Sequence, residues 1–202
     1  MFKKGLRAVI KAIFWFASKL IYRVKIEGKE NVPKDGAYIL CGNHIHGLDA
    51  PVLIINMKRK INFIAKEEIF KSKFLWWLAE VFGIIPVKRG ASDISSLKKS
   101  LQVIKKGEIL GMFPEGTRNG LAKKVELKNG VAFLALKTNT KIIPIGIQGS
   151  FKPFSRLIYK IGEPMDFSQY ASDKPGKDVL DKITSEVMGK VLELNIRDGS
   201  LC

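Results

Sequence analysis

The two histidines of the chain, His44 and His46, lie two residues apart and are followed by Asp49. They come directly after a short apolar run, Ala37 to Cys41, that predicts a β-strand, and Asn43 and the neighbouring glycines are typical of a turn. Five residues on a regular helix lie about 140° apart, so His44 and Asp49 can meet only where the loop folds back. An imidazole held by a carboxylate at one ring nitrogen keeps the other nitrogen free as a base. The segment therefore predicts either a general-base pair or a turn that only satisfies its own backbone groups.

The same three side chains could also supply ligands to a metal ion. The sequence has no third histidine, its second cysteine is the last residue, Cys202, and it contains no Cys-x-x-Cys or His-Glu-x-x-His spacing. The sequence therefore predicts no metal here. Cys41 lies in an apolar run, which predicts a core position, and two cysteines without a disulfide framework fit a reducing compartment.

A second polar cluster follows another predicted strand, Ile109 to Phe113. Gly116 permits close approach of a ligand, and Thr117 and Arg118 present a hydroxyl and a planar fork of donors. Glu115 would orient the Arg118 guanidinium or bind a substrate hydroxyl. The cluster predicts a site for a phosphorylated polyol, although turns of this composition are also common on protein surfaces.

A third strand candidate ends in two adjacent cations, Lys88 and Arg89. Arg89 could complete an anion site near the second cluster. The alternative is an ordinary solvated strand end.

From residue 37 onward, short β-branched runs alternate with helical patterns. The predicted strands are Ala37 to Cys41, Ile61 to Ile64, Ile84 to Val87, Ile109 to Phe113, Lys141 to Ile147 and Leu157 to Ile161. The predicted helices run roughly from Ala50 to Met57, Phe74 to Phe82, Asp93 to Lys105, Gly130 to Lys137 and Lys177 to Leu194. This order predicts an α/β fold with a mixed, largely parallel central sheet flanked by helices, whose sites form at the carboxyl ends of strands. Pro144 predicts a sheet edge, a bulge or a strand end.

Residues 1–28 are rich in basic and aromatic side chains. At helical spacing the basic residues lie on one side and the apolar residues on the other. The basic side holds Lys3, Lys4, Arg7 and Lys11, and the apolar side holds Leu6, Val9, Ile10, Ile13, Phe16, Ala17, Leu20 and Ile21. We expect a basic amphipathic helix in a membrane interface, because Lys11 and Lys19 interrupt the apolar stretch that a spanning helix needs. A helix packed on the protein is the alternative, and the lack of a cleavage motif disfavours a signal peptide.

The charge balance predicts an anionic partner. The chain has 35 Lys and Arg against 19 Asp and Glu, a formal net charge of +16. Nucleic acid, an anionic membrane face and phosphorylated substrates all fit this charge. The aromatic residues are bunched in apolar segments around Trp15 and Trp76 instead of alternating with cations, which disfavours nucleic acid.

Four segments stand out when they are taken in order along the chain. They are Asn43-His44 with Asp49, Gly83-Ile84 with Arg89, Phe113-Pro114-Glu115-Gly116-Thr117-Arg118, and Ile143-Pro144-Ile145. In this order, and with Lys128-Asn129-Gly130 before an apolar helix, the chain resembles the glycerolipid acyltransferase family, which includes the 1-acylglycerol-3-phosphate acyltransferases. It departs from the family pattern at His46, where a small hydroxyl residue is usual.

The resemblance implies that His44 takes a proton from an acceptor hydroxyl, which attacks an acyl thioester, while Asp49 orients the imidazole. The donor is acyl-CoA or acyl carrier protein, and no cofactor is implied. This agrees with the residues, because the sequence has no Gly-x-Ser-x-Gly segment and no plausible cysteine nucleophile. The residues implied to bind glycerol phosphate are Arg89, Glu115, Gly116, Thr117 and Arg118. Asn43 and His46 are accessory candidates.

The resemblance also implies where the protein acts. We expect residues 1–28 to associate with the membrane and residues 29–202 to form a single acyltransferase domain, peripheral or monotopic at the cytoplasmic face of the cell membrane. The expected partners are an anionic membrane surface, a lysophospholipid acceptor and the acyl donor, without nucleic acid. The expected reaction acylates the 2-hydroxyl of 1-acylglycerol-3-phosphate to give phosphatidate for phospholipid synthesis. The alternatives are transfer to another lysophospholipid or amphipathic alcohol, and a non-catalytic lipid-binding protein.

Overall fold

The helices and strands follow the alternation that the sequence predicts. The computed structural model describes residues 2–87, 94–121, 123–172 and 174–196. The helices are α1 (Phe2–Ile21), α2 (Asp49–Asn56), α3 (Lys73–Phe82), α4 (Ile94–Lys105), α5 (Gly130–Thr138) and α6 (Lys177–Asn195). The strands are β1 (Arg23–Glu27), β2 (Tyr38–Gly42), β3 (Ile61–Lys66), β4 (Ile85–Val87), β5 (Ile109–Met112), β6 (Ile142–Gly149) and β7 (Arg156–Ile161). Short 3-10 turns lie at Lys29–Asn31, Glu67–Ile69 and Ser168–Tyr170.

The strands of the described chain form one seven-stranded sheet in the order β1-β7-β6-β2-β5-β3-β4. All neighbouring pairs are parallel except β6 with β7. The predicted mixed, largely parallel sheet is therefore confirmed. In the centre, β2 pairs with β5 from Tyr38 opposite Ile109 to Cys41 opposite Met112. Because these strands are parallel neighbours in register, the loops that follow them leave the sheet side by side.

Alternation along the strands gives the sheet two buried faces. Ile39 and Cys41 face one side, where they pack with residues of α4, α5 and α6. Leu40 faces the other side, where it packs with α2 and α3. Each such aliphatic side chain contributes about 1.5–3 kcal/mol when it is fully buried, so the two layers hold the central strands rigidly. Cys41 is fully buried, as its apolar surroundings predicted.

Pro144 lies near the start of an interior strand, so of the three predicted positions, a sheet edge, a bulge or a strand end, the sheet edge is excluded. It is the third residue of β6, which lies between β7 and β2. Its carbonyl accepts a hydrogen bond from Gly162 N at 2.8 Å, just past the end of β7 at Ile161. The missing N–H therefore falls beyond the last β6–β7 pair, Ile145 with Ile161, and interrupts little of the ladder.

Helix α1 forms where the basic and apolar spacing predicts a helix. Four of its apolar side chains remain more than half exposed: Val9, Ile13, Phe16 and Leu20. This exposure disfavours a helix that buries its apolar side on the protein. No helix in the described ranges combines the length and apolar character that a membrane crossing needs.

The sequence predicted a domain boundary between residues 28 and 29, and that boundary would place β1 outside the acyltransferase domain. In the structure β1 pairs with β7 along its whole length, from Arg23 opposite Arg156 to Glu27 opposite Lys160. The sheet therefore begins before residue 29. A separate membrane-associating role for the N-terminal segment stays a prediction.

Candidate active site

Two loops meet at the carboxyl edge of the sheet. The first follows β2 and carries Asn43 and His44, and it ends at Asp49, the first residue of α2. The second follows β5 and carries Glu115 and Arg118. Since β2 and β5 are neighbours, the two predicted clusters come together as the strand order requires.

His44 and Asp49 form the predicted pair. The Nδ1 atom of His44 lies 2.8 Å from Oδ2 of Asp49, and that oxygen also accepts the backbone N–H groups of Ile45 and His46 at 2.8 Å each. A carboxylate only accepts hydrogen bonds, so Nδ1 carries the proton in the neutral ring and Nε2 is left as the acceptor. The side chain of Asp49 is fully buried, whereas that of His44 keeps 20% of its surface exposed. The ring can therefore meet a substrate from outside while its orienting partner stays out of water.

Aromatic rings fix the plane of the His44 imidazole. The ring stacks on Phe113 with centroids 4.4 Å apart and planes 5° apart. Phe113 in turn stacks on Phe63 of β3 at 5.2 Å. A Cβ added at Gly111 would overlap the Phe63 ring, so glycine in β5 leaves the room that this stack needs.

Asn43 is buried and uses its side chain as an extension of the sheet. Its Nδ2 donates to the carbonyl of Ile147 at 2.9 Å, and its Oδ1 accepts the Ile147 N–H at 2.7 Å. The amide thus continues the β2–β6 pairing past the end of β2. This anchors the start of the loop that holds His44.

Glu115 joins the two loops. It is buried, its Oε1 accepts the backbone N–H of His44 at 2.9 Å, and its Oε2 accepts the N–H of Leu121 at 2.8 Å. The Asn119 N–H adds a bond to the carbonyl of His44 at 2.6 Å. The expectation that Glu115 orients Arg118 differs from this geometry, because a buried carboxylate needs donors and the nearest ones are backbone amides.

The second loop presents a cationic surface beside Glu115. Gly116 has φ +60°, Thr117 is half-buried and Arg118 is exposed. A Cβ added at Gly116 would lie 3.0 Å from Cε and 3.3 Å from Nζ of Lys128, so this ammonium lies over the loop. The position of Lys128 was not predicted as part of the site. Its Lys-Asn-Gly context before the apolar helix α5 was the available signal.

His46 points to a different environment from His44. Its ring stacks on Phe151 with centroids 4.3 Å apart, and its Nδ1 accepts the Leu48 N–H at 3.2 Å. The contacts described for the His46 ring include no carboxylate. Arg89, the remaining predicted binding residue, lies outside the described residues.

Other reactive groups near the site are held in unreactive form. Burial, with the nearby Glu115 charge, raises the pKa of the Cys41 thiol, so this cysteine stays a neutral core residue. Burial, with the charge of Asp49, also raises the pKa of Tyr159. Within the described chain, no group of three or more His, Cys, Asp or Glu side chains is placed to hold a metal ion.

Comparison with known proteins decides the family. Residues 23–148 match the model of the Acyltransferase family. The chain belongs to this family. It is 30% identical over 178 residues to a 1-acyl-sn-glycerol-3-phosphate acyltransferase of Bacillus subtilis, covering 85% of this chain and 87% of that protein. A protein of the same name from Borreliella burgdorferi is 32% identical over 178 residues, 87% of this chain and 68% of the relative.

A solved structure shares the fold. The crystal structure of the 1-acyl-sn-glycerophosphate (LPA) acyltransferase PlsC from Thermotoga maritima matches with a TM-score of 0.69 and 27% identity, over 96% of this chain and 83% of that one. The acyltransferase chain described here is therefore an O-acyltransferase of lipid metabolism, with the α/β architecture of that enzyme.

Proposed function

We propose that the protein transfers a fatty acyl group from an acyl thioester to the free 2-hydroxyl of 1-acylglycerol-3-phosphate and so forms phosphatidate. The donor is acyl-CoA or acyl carrier protein. The observation that carries the proposal is the His44–Asp49 pair at 2.8 Å beside the cationic loop at Arg118. The names of the relatives from Bacillus subtilis and Borreliella burgdorferi support the choice of acceptor.

His44 acts as the general base in this reaction. Its Nε2 takes the proton of the acceptor hydroxyl as the oxygen attacks the thioester carbonyl, and the resulting tetrahedral species expels the thiolate. The imidazolium then returns the proton to the sulfur. Asp49, held by two backbone N–H groups, stabilises the positive ring, and such a base contributes about 10² to 10⁴ in rate. No covalent enzyme intermediate is required, in keeping with the buried Cys41.

The loop after β5 binds the phosphate of the acceptor. Arg118 offers a planar fork and Lys128 a second cation, while Gly116 lets the ligand approach the backbone. Thr117 adds a hydroxyl, and Arg89 is assigned to the same anion from the sequence alone. Glu115 supports this site by tying its loop to His44 rather than by touching substrate.

Another lysophospholipid acceptor is the second candidate. His46 stands where the related enzymes usually carry a small hydroxyl residue, and its ring extends the aromatic surface of Phe151. A larger group at this position would alter the shape of the acceptor site. This observation favours testing acceptors that differ in headgroup.

We also propose that the enzyme works as a peripheral or monotopic protein on the cytoplasmic face of the membrane. The exposed apolar side chains of α1 and the net charge of +16 both suit an anionic lipid surface. A two-chain product stays in the bilayer, because each buried CH₂ contributes about 0.8 kcal/mol.

The test is an assay of thiol release and phosphatidate formation with palmitoyl-CoA and, in parallel, palmitoyl-acyl carrier protein. The acceptors are 1-oleoylglycerol-3-phosphate, the lysophosphatidylcholine with the same oleoyl chain, and 1-oleoylglycerol, which lacks the phosphate. We expect release that depends on the phosphate monoester, and we expect Arg118→Ala to raise KM for that acceptor more than for the donor. Equal use of all three acceptors, or equal effects of Arg118→Ala on both KM values, would overturn the assignment.

A further inference from the structure

Helix α3 and the residues before it expose a group of large apolar side chains. We call this surface the α3 face, and its members are Ile69, Phe74, Leu75, Trp76 and Trp77, each between 37% and 62% exposed. Isolated exposed apolar residues are ordinary, but a contiguous group on one short segment marks an interaction site. Nothing in the catalytic geometry uses these side chains.

The exposure is not the result of a poorly formed helix. Ser72 caps the N-terminus by accepting the Leu75 N–H at 3.2 Å, and Gly83 closes the C-terminus with φ +69°. The inner side of α3 packs Val81 and Phe82 into the core beneath the sheet. The helix is therefore fixed, and its aromatic residues are held outward.

The rings of the α3 face support one another. Phe74 stacks on Trp77 with centroids 5.9 Å apart, and Trp76 lies 5.4 Å from Phe70. Such contacts hold the exposed rings in place instead of letting single side chains fold back onto the protein.

Helix α3, which carries the α3 face, contacts α1 near its own C-terminal end. Phe14 of α1 meets Phe82 of α3 edge to face, with centroids 5.5 Å apart. The chain has three tryptophans, and they lie in these two helices at Trp15, Trp76 and Trp77, all between 38% and 45% exposed. Tryptophan favours the boundary between lipid and water, because its ring is apolar and its N–H is polar.

The charge of the whole chain favours one occupant. The exposed charged residues between positions 68 and 80 are Glu68, Lys71, Lys73 and Glu80, which balance one another, whereas the chain as a whole carries a net charge of +16. Lysines next to such rings can reach anionic lipid headgroups while the rings enter the boundary between the headgroups and the acyl chains. An exposed aromatic surface on a chain of net charge +16 matches an anionic bilayer better than it matches the positively charged surface of a second copy of this chain.

We infer that the α3 face is a second lipid-contact surface, which enters the interface of an anionic membrane together with α1. The enzyme then rests on the bilayer at two points, and its orientation on the membrane is fixed. The inference does not depend on which acceptor the enzyme uses, because it is tested by binding without substrate.

The first test follows the tryptophans of the α3 face directly. In the Trp15→Phe variant of the full chain, Trp76 and Trp77 are the remaining tryptophans. We expect their emission to shift to shorter wavelength on addition of phosphatidylglycerol-containing vesicles and to be quenched by brominated acyl chains. Unchanged emission in the presence of vesicles that bind the protein would overturn the inference.

The second test measures partition into the same vesicles by sedimentation. The double variant Phe74→Ser with Trp77→Ser removes a stacked, half-exposed pair, and we expect partition to fall by about tenfold or more. Leu192→Ser, an exposed apolar residue of α6 in the opposite layer, is the matched control and should partition like the wild type. Thermal unfolding of each variant shows whether the fold is retained.

Wild-type partition by the folded double variant would contradict a lipid role for the α3 face. If the double substitution instead dissociates a dimer in the absence of lipid and leaves partition unchanged, the α3 face is an interface between two copies and the inference is overturned. Turnover of a short-chain, water-soluble acceptor by the double variant, measured beside the wild type, separates loss of membrane contact from failure of the acyltransferase assignment.

Discussion

Asp49 gathers three hydrogen-bond donors on one carboxylate oxygen. Its Oδ2 accepts the ring of His44 and two backbone N–H groups, while its buried Oδ1 has no hydrogen-bond partner within the described chain. The side chain therefore shapes the loop and orients the ring at the same time. Replacing Asp49 by asparagine separates these two roles, because the amide oxygen still accepts hydrogen bonds but carries no negative charge.

We predict that Asp49→Asn lowers the rate of acyl transfer by about 10² to 10⁴, because the amide cannot stabilise the positive ring that forms in the reaction. The measurement is a single-turnover rate with saturating acceptor. Asp178→Asn, which changes an exposed carboxylate in the first turn of α6, is the matched control. Similar rates for Asp49→Asn and the control would contradict the role of Asp49.

Glu115→Gln tests the link between the two loops. Both carboxylate oxygens accept backbone N–H groups, and an amide offers one acceptor fewer, so one N–H is left without a partner. We predict a loss of about 1–3 kcal/mol in the free energy of unfolding, together with a lower kcat. Urea denaturation and steady-state kinetics measure the two effects, with the exposed Glu126→Gln as the control. An unchanged kcat in Glu115→Gln would show that this link does not position His44.

At the scale of the elements, the aromatic stack under His44 depends on a glycine in β5. Gly111→Ala would force the Phe63 ring aside and disturb Phe113, on which His44 rests. We predict a loss of about 1–3 kcal/mol in unfolding free energy and a fall in kcat.

Gly189→Ala is the control for Gly111→Ala, and we expect it to change the free energy of unfolding in the opposite direction. Gly189 lies within α6, where a Cβ would meet open space among the described residues. We predict a gain of about 0.5–1 kcal/mol in unfolding free energy with unchanged kcat. Thermal unfolding and initial rates decide both cases, and equal behaviour of the two alanine variants would contradict the account of the stack.

Most elements could be predicted from the sequence, because the period of the apolar residues changes clearly between strands and helices. Each of the predicted strands is present, with ends within two residues of the prediction. The interior position of Pro144 could not be predicted, since it depends on where the neighbouring strand β7 ends.

The site was predictable in part for a similar reason. The spacing of His44 and Asp49 is local, and it predicted their contact. One partner of Glu115, the N–H of His44, is 71 residues away and becomes a neighbour only through the pairing of β2 with β5. The other, the N–H of Leu121, lies six residues further along the same loop. Lys128 reaches Gly116 from the segment before α5, where its backbone N–H donates to the carbonyl of Pro114 at 2.9 Å, and the sequence did not predict this fold of the loop.

At the scale of the whole molecule, charge and apolar exposure make different contributions to membrane binding. The net charge of +16 draws the protein to anionic lipid from a distance, whereas exposed rings act only on contact. Salt screens the first contribution, since the Debye length falls from about 10 Å at 0.1 M to about 3 Å at 1 M.

We predict that binding to phosphatidylglycerol vesicles weakens about tenfold or more as salt is raised across this range, and that a residual apolar binding persists. Vesicle sedimentation at several salt concentrations is the measurement, with neutral phosphatidylcholine vesicles as the control. Binding that is equal on both vesicle types at low salt would contradict the role of the net charge.

The assignment of His44 as the base is tested most directly by comparing His44→Ala with His46→Ala in acceptor-dependent thiol release from palmitoyl-CoA or palmitoyl-acyl carrier protein. The two rings lie two residues apart, but of the two only the ring of His44 has a described contact with a carboxylate and stacks on Phe113. We expect His44→Ala to lose about 10² to 10⁴ in rate and His46→Ala to stay within about tenfold of the wild type. Equal losses in both variants, or a larger loss in His46→Ala, would contradict the His44–Asp49 mechanism.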